Sequence, residues 1–222
     1  MTRPAALRLG VPARGMLAHR TLPQLLAPDR LVPGRCRDVD VLLAWGRRPS
    51  ALRVECLARQ WDLPVWHLED GLLRSVAKGR EHPPLALLVD ELGVHFDATV
   101  PSRMEQLISA PITVAEAERA LALQRLWCEQ RLSKVNPPVE AEAPQEPYVL
   151  VVDQSAGDRS IALGLADASS FRRMLQAALD DHPDCTVVLK VHPDVISGRA
   201  QGHFSGKDLA HPRVRLSADG GH

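Results

Sequence analysis

Short apolar runs, each followed by a polar cluster, recur along the chain at the spacing of alternating strands and helices. Val39-Asp40-Val41-Leu42-Leu43-Ala44-Trp45 is a compact, partly β-branched run and predicts a buried strand. Ser50 is placed to cap a helix over 51–60, with Leu52 and Cys56 one turn apart. Further strands are expected over 63–68 and 85–90, the latter turning through Glu91-Leu92-Gly93 into a hairpin with 94–97. A short helix is expected over 101–109, with Pro101 near its start. A longer one is expected over 113–133, with Thr113 as cap and Glu116 at the capping-box position. Leu121, Trp127 and Cys128 give that helix an apolar stripe.

The pattern then breaks. Residues 136–147 carry four prolines and three glutamates, and Val139 is their only bulky apolar side chain. Such a stretch cannot bury enough surface to order itself and reads as a linker. Beyond it the alternation restarts with a strand over 148–152, a helix capped by Ser169 or Ser170 and running to about 179, and a strand over 186–191. A third strand begins at 214–216. The expected class is α/β, a pair of Rossmann-like domains facing each other: 1–133, a linker over 134–147, and 148–222, the second cut short.

Composition narrows the function classes. The 222 residues hold 27 Lys plus Arg against 27 Asp plus Glu, which argues against a nucleic-acid coat or a polybasic membrane tail. A hydrophobic content of 45% and a charged content of 24% fit a globular protein. Cys36, Cys56, Cys128 and Cys185 form no CxxC pair, so neither a zinc ribbon nor a disulfide scaffold is supported. No apolar stretch reaches membrane-span length, and Arg3, Pro4, Arg8, Pro12 and Arg14 interrupt any signal-peptide core. The expectation is a cytoplasmic protein that binds no nucleic acid.

Open parallel sheets bind ligands at the carboxyl ends of their strands. Three polar clusters fall at such places: Glu69-Asp70-Gly71, residues 153–160 from Asp153 to Ser160, and His192-Pro193-Asp194. Each has a plain structural alternative. Adjacent carboxylates and a glycine often make a cap and a turn, Asp158 with Ser160 is a common capping pair, and His192-Pro193 can be a simple chain reversal. Asp38-Val39-Asp40 leads into a strand instead of following one, unlike a metal-binding DxD. The nine histidines show no HxxH or HExxH spacing, so no metal is expected. GxGxxG and GxxxxGK[ST] are both missing, which weakens dinucleotide and P-loop readings.

Taken in order, several motifs form a recognisable set. They are Trp45-Gly46-Arg47-Arg48-Pro49-Ser50, Leu68-Glu69-Asp70-Gly71-Leu72-Leu73-Arg74-Ser75 and Pro83-Pro84-Leu85-Ala86-Leu87-Leu88-Val89-Asp90, then Val149-Leu150-Val151-Val152-Asp153-Gln154 with Asp158 and Ser160, and Lys190-Val191-His192-Pro193-Asp194-Val195 with Gly198. Together they resemble the bacterial capsule polysaccharide Kdo transferases of the KpsC type, in their N-terminal module. The resemblance implies a GT-B enzyme that needs no cofactor. It would transfer β-Kdo, an eight-carbon acidic sugar, from CMP-Kdo to a phospholipid-linked Kdo primer. It also implies work beside the capsule assembly and export machinery, peripheral at the inner membrane. Retention of the β configuration requires two displacements. By matching position Asp158 is the nucleophile; Glu69 is the candidate acid/base, with Asp70 as the alternative, and His192 would donate to the departing CMP phosphate. Gln154, Ser160, Lys190 and Pro193 join His192 as donor-binding residues, and Asp70, Arg74 and Ser75 fall on the acceptor side. Arg74 reads equally as a solvated loop charge.

The chain departs from that family at Leu72, where an aromatic is usual, and after Leu216, where family modules continue through a further stretch that completes the sheet and the CMP pocket. The expectation is a C-terminally truncated donor domain with impaired activity. The alternatives are a non-catalytic remnant of the same transferase, or an unrelated two-domain nucleotide-sugar-binding protein.

Overall fold

The computed structural model describes residues 6–77, 82–136 and 144–217. The chain divides into two units, Met1–Asn136 and Pro137–His222. Most of the proline-rich stretch, 137–143, and the last residues, 218–222, lie outside the described residues.

The first unit runs β1 (Arg8–Val11), a 3-10 turn (Arg14–Ala18), α1 (Leu22–Leu25), β2 (Arg30–Pro33), β3 (Val41–Trp45), α2 (Pro49–Trp61), β4 (Val65–Asp70), β5 (Leu87–Asp90), α3 (Arg103–Ser109) and α4 (Val114–Glu129). Its sheet has the order β2-β1-β3-β4-β5. All neighbours are parallel except β5, which runs antiparallel to β4. The central strand β3 is buried along its whole length, as a parallel strand covered on both faces must be. Val41, Leu43 and Trp45 face one core with Leu9, Met16, Leu22 and Leu68. Leu42 and Ala44 face the other, against Ala51, Val54 and Ala58 of α2.

The second unit runs β6 (Tyr148–Val152), α5 (Arg159–Leu163), α6 (Ala168–Asp181), β7 (Thr186–Lys190), α7 (Pro193–Ile196), α8 (Gly206–Leu209) and β8 (Val214–Ser217). Its three strands are parallel in the order β6-β7-β8. One face packs Val151, Val187, Leu189 and Val214 on Leu175, Ala178 and Leu179 of α6. On the opposite face of β6, Leu150 is 53% exposed and Val152 41%.

Several local expectations need correction. No element is anticipated before residue 39, yet β1 and β2 add two strands to the sheet. They are four residues each, and Gly10 and Pro33 dilute their apolar pattern. A Cβ at Gly10 would stand 2.6 Å from Leu42 Cδ2, so a larger residue there would oblige the Leu42 side chain to shift. The expected 94–97 strand does not form. Asp90 Oδ1 accepts from the Leu92 and Gly93 amides, folding the chain into a turn, and Val94 is buried beyond it. β5 pairs back onto β4 instead.

Helix α2 starts one residue before Ser50, with Pro49 in its first turn and no side-chain cap. Helix α6 is capped by Asp167, whose carboxylate accepts from the Ser170 amide, not by Ser169 or Ser170. Helix α4 ends at Glu129 because Arg131 turns into the left-handed region at φ 49. None of its residues is buried, so the Leu121 stripe is not a core face.

Candidate functional site

In the first unit, the Glu69-Asp70 pair does not form one cluster. Strand β4 continues through Asp70, and alternation along a strand sends neighbouring side chains to opposite faces. Glu69 shares the α2 face with His67. Asp70 shares the face of Leu68, opposite Leu87 of β5.

On the α2 side, Glu69 and His67 line a shallow, open pocket. Asp90, His95 and Arg103 add polar groups, and Leu88, Val94, Met104 and Leu107 form an apolar wall. Burial pushes the Glu69 carboxyl above its ordinary range, and the Asp70 charge adds to this against the opposing pull of Arg48 and Lys134. Burial lowers both His67 and His95, favouring their neutral forms. His67 Nδ1 lies 3.1 Å from the Gly46 carbonyl, which can only accept, so this nitrogen carries the proton. Behind it Arg47 joins Glu55 at 2.7 Å and Asp97 at 2.9 Å, with all three side chains mostly shielded from solvent. Arg47 thereby ties the start of α2 to the loop before α3.

On the other side, Asp70 pairs with Arg74 Nε at 3.2 Å. Arg74 Nη1 donates to Ser75 Oγ and to the His82 carbonyl, so its charge braces the returning segment. Ser75 is buried, and its hydroxyl donates onward to the Ala77 carbonyl. Among the described residues, Asp70 Oδ1 is a buried side-chain oxygen without a hydrogen-bond partner. His19, which no sequence motif singled out, stacks on Trp45 at 4.7 Å between ring centroids. Burial lowers its pKa, with Asp70 pulling the other way and Arg74 adding to the fall.

In the second unit, the loop after β6 carries Gln154 and Asp158, both exposed. Asp158 caps α5, accepting from the Ser160 amide at 2.9 Å and from its hydroxyl at 2.8 Å. Gly157 precedes it at φ 83, a conformation glycine adopts without strain. Lys190 ends β7 opposite Val152, and His192 follows two residues later. The Asp194 amide donates to His192 Nδ1 at 3.1 Å, which leaves the proton of a neutral ring on Nε2. Pro193 opens α7.

Asp38 and Asp40 serve the fold. Asp40 accepts from the Arg8 amide and Asp38 pairs with the Arg8 guanidinium, fastening β1 to the approach of β3. Among the described residues no group of three His, Cys, Asp or Glu is arranged to hold a metal. Nor is any helix there long and apolar enough to cross a membrane.

This arrangement has known counterparts. The family model for capsule polysaccharide biosynthesis proteins matches residues 40–132 and 120–215. The capsule polysaccharide modification protein LipA of Neisseria meningitidis serogroup B is 36% identical over 94% of this chain and 31% of its own length. The lipopolysaccharide-processing protein LpsZ of Rhizobium meliloti is 35% identical over 71% of this chain and 38% of its own. The chain thus spans about a third of the length of these curated relatives. Among solved structures, the KpsC β-Kdo 2,4 transferase of Thermosulfurimonas dismutans superposes with a TM-score of 0.86 at 34% identity, covering 96% of this chain and 68% of that one. The β-Kdo 2,7 transferase of the same KpsC shares the fold at 20% identity and a TM-score of 0.62. The chain belongs to the capsule polysaccharide biosynthesis family, in its KpsC-type branch.

Proposed function

We propose that this chain is a retaining β-Kdo transferase module of capsule biosynthesis, its two units paired in the GT-B manner. The likeness to the β-Kdo 2,4 transferase at 34% identity carries this reading and favours the same 2,4 linkage. Unrelated nucleotide-sugar binding is set aside by family membership. CMP-Kdo is the donor, and a Kdo primer on a phospholipid is the acceptor. The chain would meet both at the cytoplasmic side of the inner membrane, upstream of capsule export.

In the first displacement a carboxylate oxygen of Asp158 bonds to the anomeric carbon as the bond to the CMP phosphate breaks, and CMP departs. His192, with Nε2 protonated, donates to that phosphate, where charge develops. Gln154, Ser160, Lys190 and Pro193 shape the donor side. In the second displacement the acceptor hydroxyl attacks the same carbon, releases Asp158 and restores the β configuration. Glu69 takes the hydroxyl proton, and its raised pKa makes it a stronger base than an exposed carboxylate. Asp70 and Arg74, on the opposite face of β4 from Glu69, would meet only the part of the acceptor that passes around the end of the strand, and Ser75 holds Arg74 in place.

Incubating the chain with CMP-Kdo and a Kdo-primed lipid, and following product by mass, tests the reading. Kdo added with the β configuration is expected, and no turnover under conditions where a KpsC module is active overturns it.

A further inference from the structure

Asp153 stands just after β6, and its carboxylate is engaged from two directions. Oδ1 accepts from the Gln154 amide at 2.8 Å and from His203 Nδ1 at 3.0 Å, and Oδ2 accepts from the His203 amide at 3.2 Å. The pair is almost wholly desolvated, with 1% of the Asp153 side chain and 6% of the His203 side chain exposed. The imidazole lies flat on Phe171 of α6, 3.8 Å between centroids and 4° between planes. Gly202 touches the same carboxylate so closely that a Cβ there would overlap Oδ2. One residue earlier, the Gln201 carbonyl accepts from the Ala156 amide at 2.7 Å.

Residues 201–203 therefore form a strap against 153–156, joined at both ends. The strapped loop leads directly to Asp158, whose amide donates to the Ser155 carbonyl at 3.1 Å. Burying a carboxylate against an imidazole adds little net stability over apolar packing, because desolvation offsets the hydrogen bonds gained. Its advantage is direction: two fixed donors on one carboxylate set the strap's position in a way that Phe171 and Phe204 contacts do not.

We propose that His203 is a positioning residue, which through Asp153 holds the strap that sets where Asp158 is presented. This rests on the reading of Asp158 as nucleophile. Amide hydrogen exchange and steady-state kinetics on the whole chain test it together. In His203→Ala the Ala156 amide is expected to exchange at least about tenfold faster, with the Val187 and Leu189 amides unchanged. Turnover should fall about 100-fold with donor KM altered less than about threefold, since a displaced reacting group lowers kcat. His203→Asn still offers an N–H and should recover most of both. Phe171→Leu keeps the Asp153–His203 hydrogen bonds and should stay near wild type in both. If His203→Ala does not fold, Asp153→Asn, which replaces charge-assisted bonds by neutral ones, reads the same quantities. Unchanged Ala156 exchange overturns the proposal, and so does an equal loss of turnover in Phe171→Leu. Faster Ala156 exchange in a wild-type background that never transfers Kdo overturns the catalytic reading alone, and leaves the strap as a structural brace.

Discussion

The carboxylate of Glu69 rests directly over the α-carbon of Gly46, where a Cβ would overlap Oε1. Gly46 also sits at φ 52, in the left-handed region that costs a side chain about 1–3 kcal/mol. The turn after β3 and the strand β4 thus share one constraint, and it fixes the face of the sheet to which Glu69 belongs. Gly46→Ala is expected to lower unfolding free energy by about 1–3 kcal/mol in urea titrations. On the proposed function it should also reduce Kdo transfer more than this loss explains, because the Glu69 carboxylate has to move.

Glu69→Gln separates stability from function. A carboxyl whose folded pKa lies above its unfolded value keeps full stability below that unfolded value, near 4.5, and loses it as pH rises through the folded pKa. The variant should therefore melt with the wild type at pH 4 and above it at pH 8, while transfer falls about 100-fold or more if Glu69 is the base proposed above. Thermal melts at the two pH values check the sign.

The Arg47–Asp97 pair should set part of the acid limb of stability. Burial pushes Asp97 up, but bonds from the Thr99 hydroxyl and amide and from Arg47 outweigh it, leaving its pKa below the ordinary value. Its contribution is present above pH 3.8 and fades as pH falls through the depressed folded value. Asp97→Asn is expected to cost about 1.5–3 kcal/mol at neutral pH, the value of a hydrogen bond to a charged group, since Glu55 still pairs with Arg47. The difference from wild type should shrink toward pH 2.

The two faces of the second sheet should respond unequally. Leu189 is fully buried against α6, so Leu189→Ala should cost about 2–5 kcal/mol. Leu150 faces outward on β6, and Leu150→Thr should change stability by no more than about 0.5 kcal/mol. Denaturant midpoints on the two variants decide this.

The strands that carry the candidate residues were legible because each is a short apolar run closed by a polar cluster. The division of Glu69 from Asp70 was not. The apolar run ends at Leu68, whereas hydrogen bonds to β5 carry the strand two residues further and alternation parts the carboxylates. The turn that replaces the expected 94–97 strand rests on the Asp90 carboxylate, which no hydrophobic period encodes. His19 and His203 escaped notice for a similar reason. Their partners, Trp45 and Asp153, are distant in sequence, and a lone histidine carries no local pattern. Asp158 was legible both as a cap and by resemblance. Its observed capping bonds to Ser160 are compatible with a nucleophile held still.

The most direct test of the account is the site of covalent attachment. The chain is incubated with CMP-Kdo without acceptor, digested, and the modified peptide sequenced by mass spectrometry. The account predicts one Kdo residue ester-linked to Asp158, released when a Kdo-primed acceptor is added and missing in Asp158→Ala. Kdo transfer that persists in Asp158→Ala, or an adduct on another residue, would contradict it.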